Sequence, residues 1–262
     1  MIGIFDSGIG GLTVVKEIKK RLPRHTLVYF GDTARLPYGT KSGKTIIRYS
    51  KENVKFLVRQ GSKVIVAACN TASALAGAHL RRTTPFPFFD VINPAVRAAK
   101  ARTRDHRIGI IGTPATIASG VYQNYFRKGE EHYFLYGQAC PLFVPLVEEN
   151  WLNRQETYAI AESYLEPLKK NRIDTLILGC THYPLLIPVI RDIMGERVIL
   201  INPAEELAED LAAFLKEWEQ KMVRGRRDLF FVSDEPYRFK ELSRSILGKS
   251  INVTLATPSP VD

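Results

Sequence analysis

The 262-residue sequence predicts an α/β protein of two similar units, each built on a mainly parallel sheet, with a ligand cleft between them. Short β-branched runs alternate with segments of helical period along the whole chain. The opening pattern Ile2-Gly3-Ile4 restarts at Ile108-Gly109-Ile110. Each half also contains a strand-like run that ends in a cysteine, then polar residues, then a helix start, at Cys69 and again at Cys180. In open α/β sheets that junction is where ligands bind, because unpaired helix N–H groups point into the crevice.

Taken in order, residues 2–6 read as a strand and residues 7–11, with three glycines, as a tight loop. Apolar residues at 12, 15, 18 and 22 form a helical stripe stopped by Pro23. A second strand spans 26–30 and ends in Gly31 and Asp32. The loop 33–39 is rich in turn residues and carries Tyr38, as a segment covering a ligand would. A helix over 44–60 leads into residues 64–68, an apolar run suited to a buried parallel strand. Cys69, Asn70 and Thr71 follow, and 72–80 is Ala- and Leu-rich with good helix propensity. Residues 86–92 supply another strand and Pro94 starts a helix. The charged stretch 102–107 reads as a boundary. Beyond it come strands at 108–112 and 132–138, a helix over 155–168, and the strand 175–179 that runs into Cys180, Thr181, His182 and Tyr183. Pro184 suits the first turn of the next helix. A strand at 198–201, a helix at 204–218, a strand at 229–232 and a helix at 237–247 complete the pattern.

Hydrophobic content of 45% and charged content of 24% are those of an ordinary globular enzyme. The first residues lack the basic and apolar regions of a signal peptide, and the apolar runs are too short to span a bilayer. Three cysteines, an odd number, argue for a reducing compartment, so a cytoplasmic protein is expected. A net charge of +10 raises nucleic acid as a partner. The basic residues are scattered, as Lys19-Lys20-Arg21, Arg81-Arg82, Lys169-Lys170 and Arg224 with Arg226-Arg227, and accompany no nucleic-acid motif. They read as a solvated surface, or as suited to an anionic small molecule.

Cys140 lies among apolar residues and reads as a buried structural thiol. Cys69, Cys180 and His182 could hold zinc, but structural zinc usually draws on close-spaced pairs, and only Cys180 and His182 are near each other. A single nucleophilic cysteine with His182 as base leaves the other thiol without a role. The loop Gly8-Ile9-Gly10-Gly11 fails the G-x-G-x-x-G test, since Thr stands at position 13. Asp6 at its strand end suits a cationic group or the tuning of a nearby thiol; Asp32 and Glu148 alone read equally as surface acids. Two units facing each other would bring Cys69 and Cys180 to opposite sides of one cleft. One thiolate could then remove a proton from a carbon while the other thiol delivers one to the opposite face, inverting it. Such chemistry needs neither metal nor organic cofactor, and the cleft must stabilise the carbanion-like transition state itself.

At these residues the chain resembles the aspartate/glutamate racemase family. The resemblance runs through Gly3 to Gly11, Gly31-Asp32-Thr33-Ala34-Arg35 with Pro37-Tyr38-Gly39, and Ala68 to Ser73. It continues through Gly112 to Thr116, Cys140-Pro141-Leu142 to Glu148, and Leu178 to Pro184. It implies interconversion of L- and D-glutamate without pyridoxal phosphate, supplying D-glutamate for peptidoglycan, with aspartate or another amino acid as the alternative substrate. Cys69 and Cys180 match the two catalytic bases. Asp6 and His182 match the groups assisting proton transfer, Glu148 supports His182, and Asp32 is a polar site residue. Ser7, Pro37, Tyr38, Gly39, Asn70, Thr71 and Thr181, with Asp6 and His182, match substrate-contacting positions, and Thr113 and Thr116 add hydroxyls. The resemblance further implies two Rossmann-like or flavodoxin-like domains, residues 1–93 with 207–262 and residues 94–206, and leaves a homodimer open. Asn93 and Asn202 depart from the family's usual residues at the two crossings, which bears on local packing rather than chemistry.

Overall fold

In the computed structural model, residues 1–218 and 227–259 are described; Arg224, Arg226 and part of the segment 207–262 lie outside the described residues. The strands and helices arrange as two parallel sheets with helices on both faces. The first sheet has the order β10-β9-β2-β1-β3-β4, from Val253–Leu255, Leu229–Val232, Leu27–Gly31, Ile2–Asp6, Val64–Ala67 and Phe88–Asp90. The second has the order β6-β5-β7-β8, from Phe134–Ala139, Arg107–Gly112, Thr175–Gly179 and Ile199–Ile201. The four strands β2-β1-β3-β4 thus have their counterparts in β6-β5-β7-β8, which is the restart read from the two Ile-Gly-Ile patterns.

Register makes the likeness concrete. Phe5 of β1 pairs with Ala67 of β3, and Gly112 of β5 pairs with Gly179 of β7. Both cysteine-bearing turns therefore leave a strand that lies beside the first strand of its own unit. All residues of β1, β2, β3 and β7 are buried, as expected of strands covered on both faces.

On the first sheet, α1 (Leu12–Arg21), α10 (Pro203–Trp218) and α11 (Pro236–Leu247) cover one face, and α2 (Gly43–Arg59) and α3 (Asn70–Thr83) the other. On the second, α7 (Phe143–Glu148), α8 (Gln155–Lys170) and α9 (Ile187–Met194) cover one face. The other is covered by α4 (Ile92–Arg102) and α6 (Val121–Phe126). Among the described residues no helix is long and apolar enough to cross a membrane.

Several boundaries differ from the sequence reading, each for a local reason. The strand expected over 86–92 stops at Asp90, whose carboxylate accepts from the N–H groups of Ile92 and Asn93 and so starts α4 two residues before Pro94. Helix α3 begins at Asn70 rather than 72, which puts Asn70 and Thr71 in its first turn. The stretch 102–107, read as a boundary, instead joins α4 to β5, both packed on the second sheet. Asn202 accepts from Ala204 N–H through its side-chain oxygen, at 3.1 Å, so the amide serves the start of α10 as a carboxylate would. Strand β10 and the short helices α5 (Pro114–Ala118), α6 and α7 went unread, being too short to show a period.

Candidate active site

The loops that follow β1, β3, β5 and β7 meet around a cavity of about 40 Å³. Of the site residues named from sequence, Ser7, Pro37, Tyr38, Gly39, Cys69, Asn70, Thr71, Thr113, Glu148, Cys180, Thr181 and His182 line it. Asp6, Asp32 and Thr116 do not reach it; each is buried behind a residue that does.

Cys69 stands at the N-terminal boundary of α3, 5% exposed. Its sulfur lies 3.7 Å from the Ser7 hydroxyl. Burial, and then the nearby Asp6 carboxylate, push its thiol up to about 12, against the opposing support of Ala72 N–H and Ser7. Asp6 is fully buried and accepts from the N–H groups of Gly8 and Gly11, both at 3.0 Å, so the glycine loop wraps its carboxylate. Burial raises the Asp6 pKa, and the His182 charge and those N–H groups oppose the rise.

The cavity is also lined by Cys180, 6% exposed, with His182 Nδ1 at 3.8 Å from its sulfur. His182 Nε2 lies 3.1 Å from Glu148 Oε1 on α7, so the ring bridges a thiol and a carboxylate. Burial alone would lower the His182 pKa. Its bonds to Cys180 and Glu148 outweigh that and push it up to about 10. The turn after β7 also touches the first unit: Thr181 donates to Asp6 Oδ1 at 3.4 Å, and Thr13 donates to the Thr181 carbonyl at 2.9 Å.

A cluster of three hydroxyls closes one end. Thr71 lies 2.9 Å from Thr113 and 3.2 Å from Thr116, and Thr113 lies 2.9 Å from Thr116. Thr113 also accepts from Thr116 N–H as the N-cap of α5, so one residue both starts a helix and faces the cavity. Across from it, Tyr38 donates to Asp32 and accepts from Asn53 at 3.1 Å. Asp32 in turn receives Arg35 at 2.9 and 2.7 Å and Ser233 at 3.1 Å. Asp32 thus holds the loop 33–39 in place, one step behind the cavity.

Sequence reading missed three lining residues, Gly8, Leu36 and Val144. Gly8 lay within the glycine loop already singled out; Leu36 and Val144 carry no chemical signal and are found only by their position. It also missed Arg35, Glu52 and Asn53 as supports of Tyr38, because α2 contributes Glu52 and Asn53 from elsewhere in the chain. All three cysteines are free thiols, and Cys140 is fully buried. Among the described residues no group of three or more His, Cys, Asp or Glu side chains is arranged to hold a metal ion.

Comparison with known proteins places this geometry among relatives. A family model described as Asp/Glu/Hydantoin racemase matches residues 9–211. A glutamate racemase of Geobacter metallireducens is 47% identical, over 94% of this chain and 92% of that protein. The crystal structure of a glutamate racemase isoform from Bacillus anthracis superposes with a TM-score of 0.93 at 36% identity, over 98% of this chain and 97% of the other. The structure of the Francisella tularensis glutamate racemase in complex with D-glutamate gives a TM-score of 0.90 at 36% identity, with the same coverage.

Proposed function

The chain belongs to the Asp/Glu/Hydantoin racemase family, and on that premise we propose that it racemises glutamate by proton transfer between two cysteines. One observation supports the mechanism: Cys69 and Cys180 leave equivalent strands of two matching sheets and line one cavity. The glutamate racemases of similar sequence and structure support the substrate.

A substrate α-carbon between the two sulfurs loses its proton to one thiolate. The carbanion then takes a proton from the opposite thiol, leaving that sulfur as the thiolate. The two sulfurs have exchanged protonation states, and the reverse reaction starts from the product of the forward one. His182 holds or returns the proton of Cys180, with Glu148 fixing the ring. Asp6 faces Cys69 and sets how readily that thiol ionises. Asn70, the hydroxyls of Ser7, Thr71, Thr113 and Thr181, and the first-turn N–H groups of α3 are donors for two carboxylates.

The product reading is D-glutamate for peptidoglycan, in a reducing cytoplasm where the three free thiols persist. The division of the chain into residues 1–93 with 207–262, and 94–206, is supported by α10 packing with the first core cluster and α4 with the second sheet. A homodimer would be read directly by sedimentation.

The test uses metal-stripped protein with L-glutamate in heavy water and no added cofactor. Circular dichroism reads the loss of handedness and mass spectrometry reads deuterium at the α-carbon. Racemisation with deuterium uptake, lost in Cys69→Ser and in Cys180→Ser, is the expected result. Full activity in either variant removes that cysteine from the chemistry, and turnover of aspartate alone moves the substrate.

A further inference from the structure

Tyr122 stands between the two cysteine turns. It belongs to α6, is 1% exposed, and packs in the core cluster that joins α4 to the second sheet. Its hydroxyl accepts a hydrogen bond from Asn70 Nδ2 at 3.1 Å, a contact between a helix of the second unit and one of the first. On its other side it lies near Gly179. A Cβ built on Gly179 would lie 3.4 Å from the Tyr122 hydroxyl oxygen and 3.5 Å from its ring carbon Cε2. Asn70 follows Cys69, and Gly179 precedes Cys180. One phenol therefore meets the residue next to each thiol.

Burying a phenol oxygen costs free energy unless it is partnered, and a phenylalanine would fill the same space without that cost. The bond to Tyr122 is the only hydrogen bond of the Asn70 side chain among the described residues. An amide has two N–H donors and one carbonyl oxygen. Donating one N–H to Tyr122 fixes the amide plane. It leaves the carbonyl oxygen and the other N–H for the occupant of the cavity that Asn70 lines. On the opposite side Gly179 carries no side chain, and a Cβ there would come only into ordinary van der Waals contact with the Tyr122 hydroxyl and ring.

We propose that Tyr122 is a positioning residue for racemisation, orienting the Asn70 amide at the cavity beside Cys69. The inference rests on the racemase reading above and assigns a role to a residue outside the cavity.

The experiment is a double-mutant cycle on the full chain with Tyr122→Phe, Asn70→Ala and both together. Initial rates are read from L-glutamate and from D-glutamate. Tyr122→Phe should raise KM and lower kcat/KM about tenfold in both directions, the loss of one oriented hydrogen bond. Its melting temperature should stay within about 4 °C of the parent. The double variant should match Asn70→Ala within about twofold, because the phenol acts through that amide. Undiminished kcat/KM in Tyr122→Phe, or losses that add, would overturn the proposal. So would a Tyr122→Phe protein that fails to fold, which would make the hydroxyl a folding group. Parent protein that leaves glutamate unchanged overturns the racemase reading and this inference with it. An active parent beside an undiminished Tyr122→Phe overturns this inference alone.

Discussion

Glu148 holds the far nitrogen of His182 at 3.1 Å while the near nitrogen faces the Cys180 sulfur at 3.8 Å. A buried ring so placed is kept protonated by its two neighbours, and its pKa rises to about 10 from 6.5. In Glu148→Gln the carboxylate charge is gone, so the His182 pKa falls. Racemisation should drop by roughly 100-fold, and the alkaline limb of the pH–rate profile should move toward neutrality. An unchanged profile would show that Glu148 does not tune the ring.

The same pair affects stability. His182 binds its proton more tightly folded than unfolded, so its contribution is complete below pH 6.5 and is lost as pH rises to about 10. Denaturant melts of the parent and Glu148→Gln should therefore differ most below pH 6.5 and converge near pH 10. A gap that widens with pH would contradict the assignment.

Cys69 has the opposite difficulty, a thiol pushed up to about 12 by burial and by Asp6. In a Cys180→Ser background, alkylation of Cys69 by iodoacetamide should accelerate steeply with pH and show no plateau below pH 11. Asp6→Asn removes the neighbouring charge and should bring the plateau to lower pH. A Cys69 that alkylates fully at neutral pH would overturn this account.

Gly10 has no room for a side chain. A Cβ there would lie 2.4 Å from His182 Nδ1 and 2.4 Å from Thr181 Oγ1. Gly10→Ala should destabilise the fold by about 1–3 kcal/mol and displace His182 from Cys180. Chemical denaturation reads the first effect, and the racemisation rate, expected to fall by roughly 100-fold, reads the second. Normal rates would mean that the glycine loop yields freely.

Tyr38→Phe leaves the buried Asp32 carboxylate short of a donor and the Asn53 N–H short of an acceptor. The expected cost is about 2 kcal/mol. That corresponds to a melting temperature lower by about 4–8 °C in a chain of this size. A stability unchanged within error would show that water replaces the phenol.

Much of this was legible in residue order. The strand 64–68 ending in Cys69 and the strand 175–179 ending in Cys180 could be read because buried parallel strands are continuous apolar runs and the next residues are polar. The repeat of Ile-Gly-Ile marks where the second unit starts. The exposed strand β10 was not legible, since three partly exposed residues carry no pattern. Charge at 102–107 marks a surface turn as readily as a linker, and in the fold this stretch joins α4 to β5. Where α4 packs is decided by its apolar face, Ile92, Ala95, Val96 and Ala99, meeting Ile108 and Ile110.

The sequence by itself determined the two strand-end thiols, the polar residues beside them and the helices that start there, because those follow from local propensity and period. Only the tertiary structure decided which groups meet: Glu148 with His182, Thr71 with Thr113, Asp32 behind Tyr38, and Tyr122 between Asn70 and Gly179. Apart from Asp32 and Tyr38, which are six residues apart, these contacts join residues far apart in the chain. Distance in space depends on how helices and turns pack on the sheets and how the sheets meet, and no local pattern of residues encodes that.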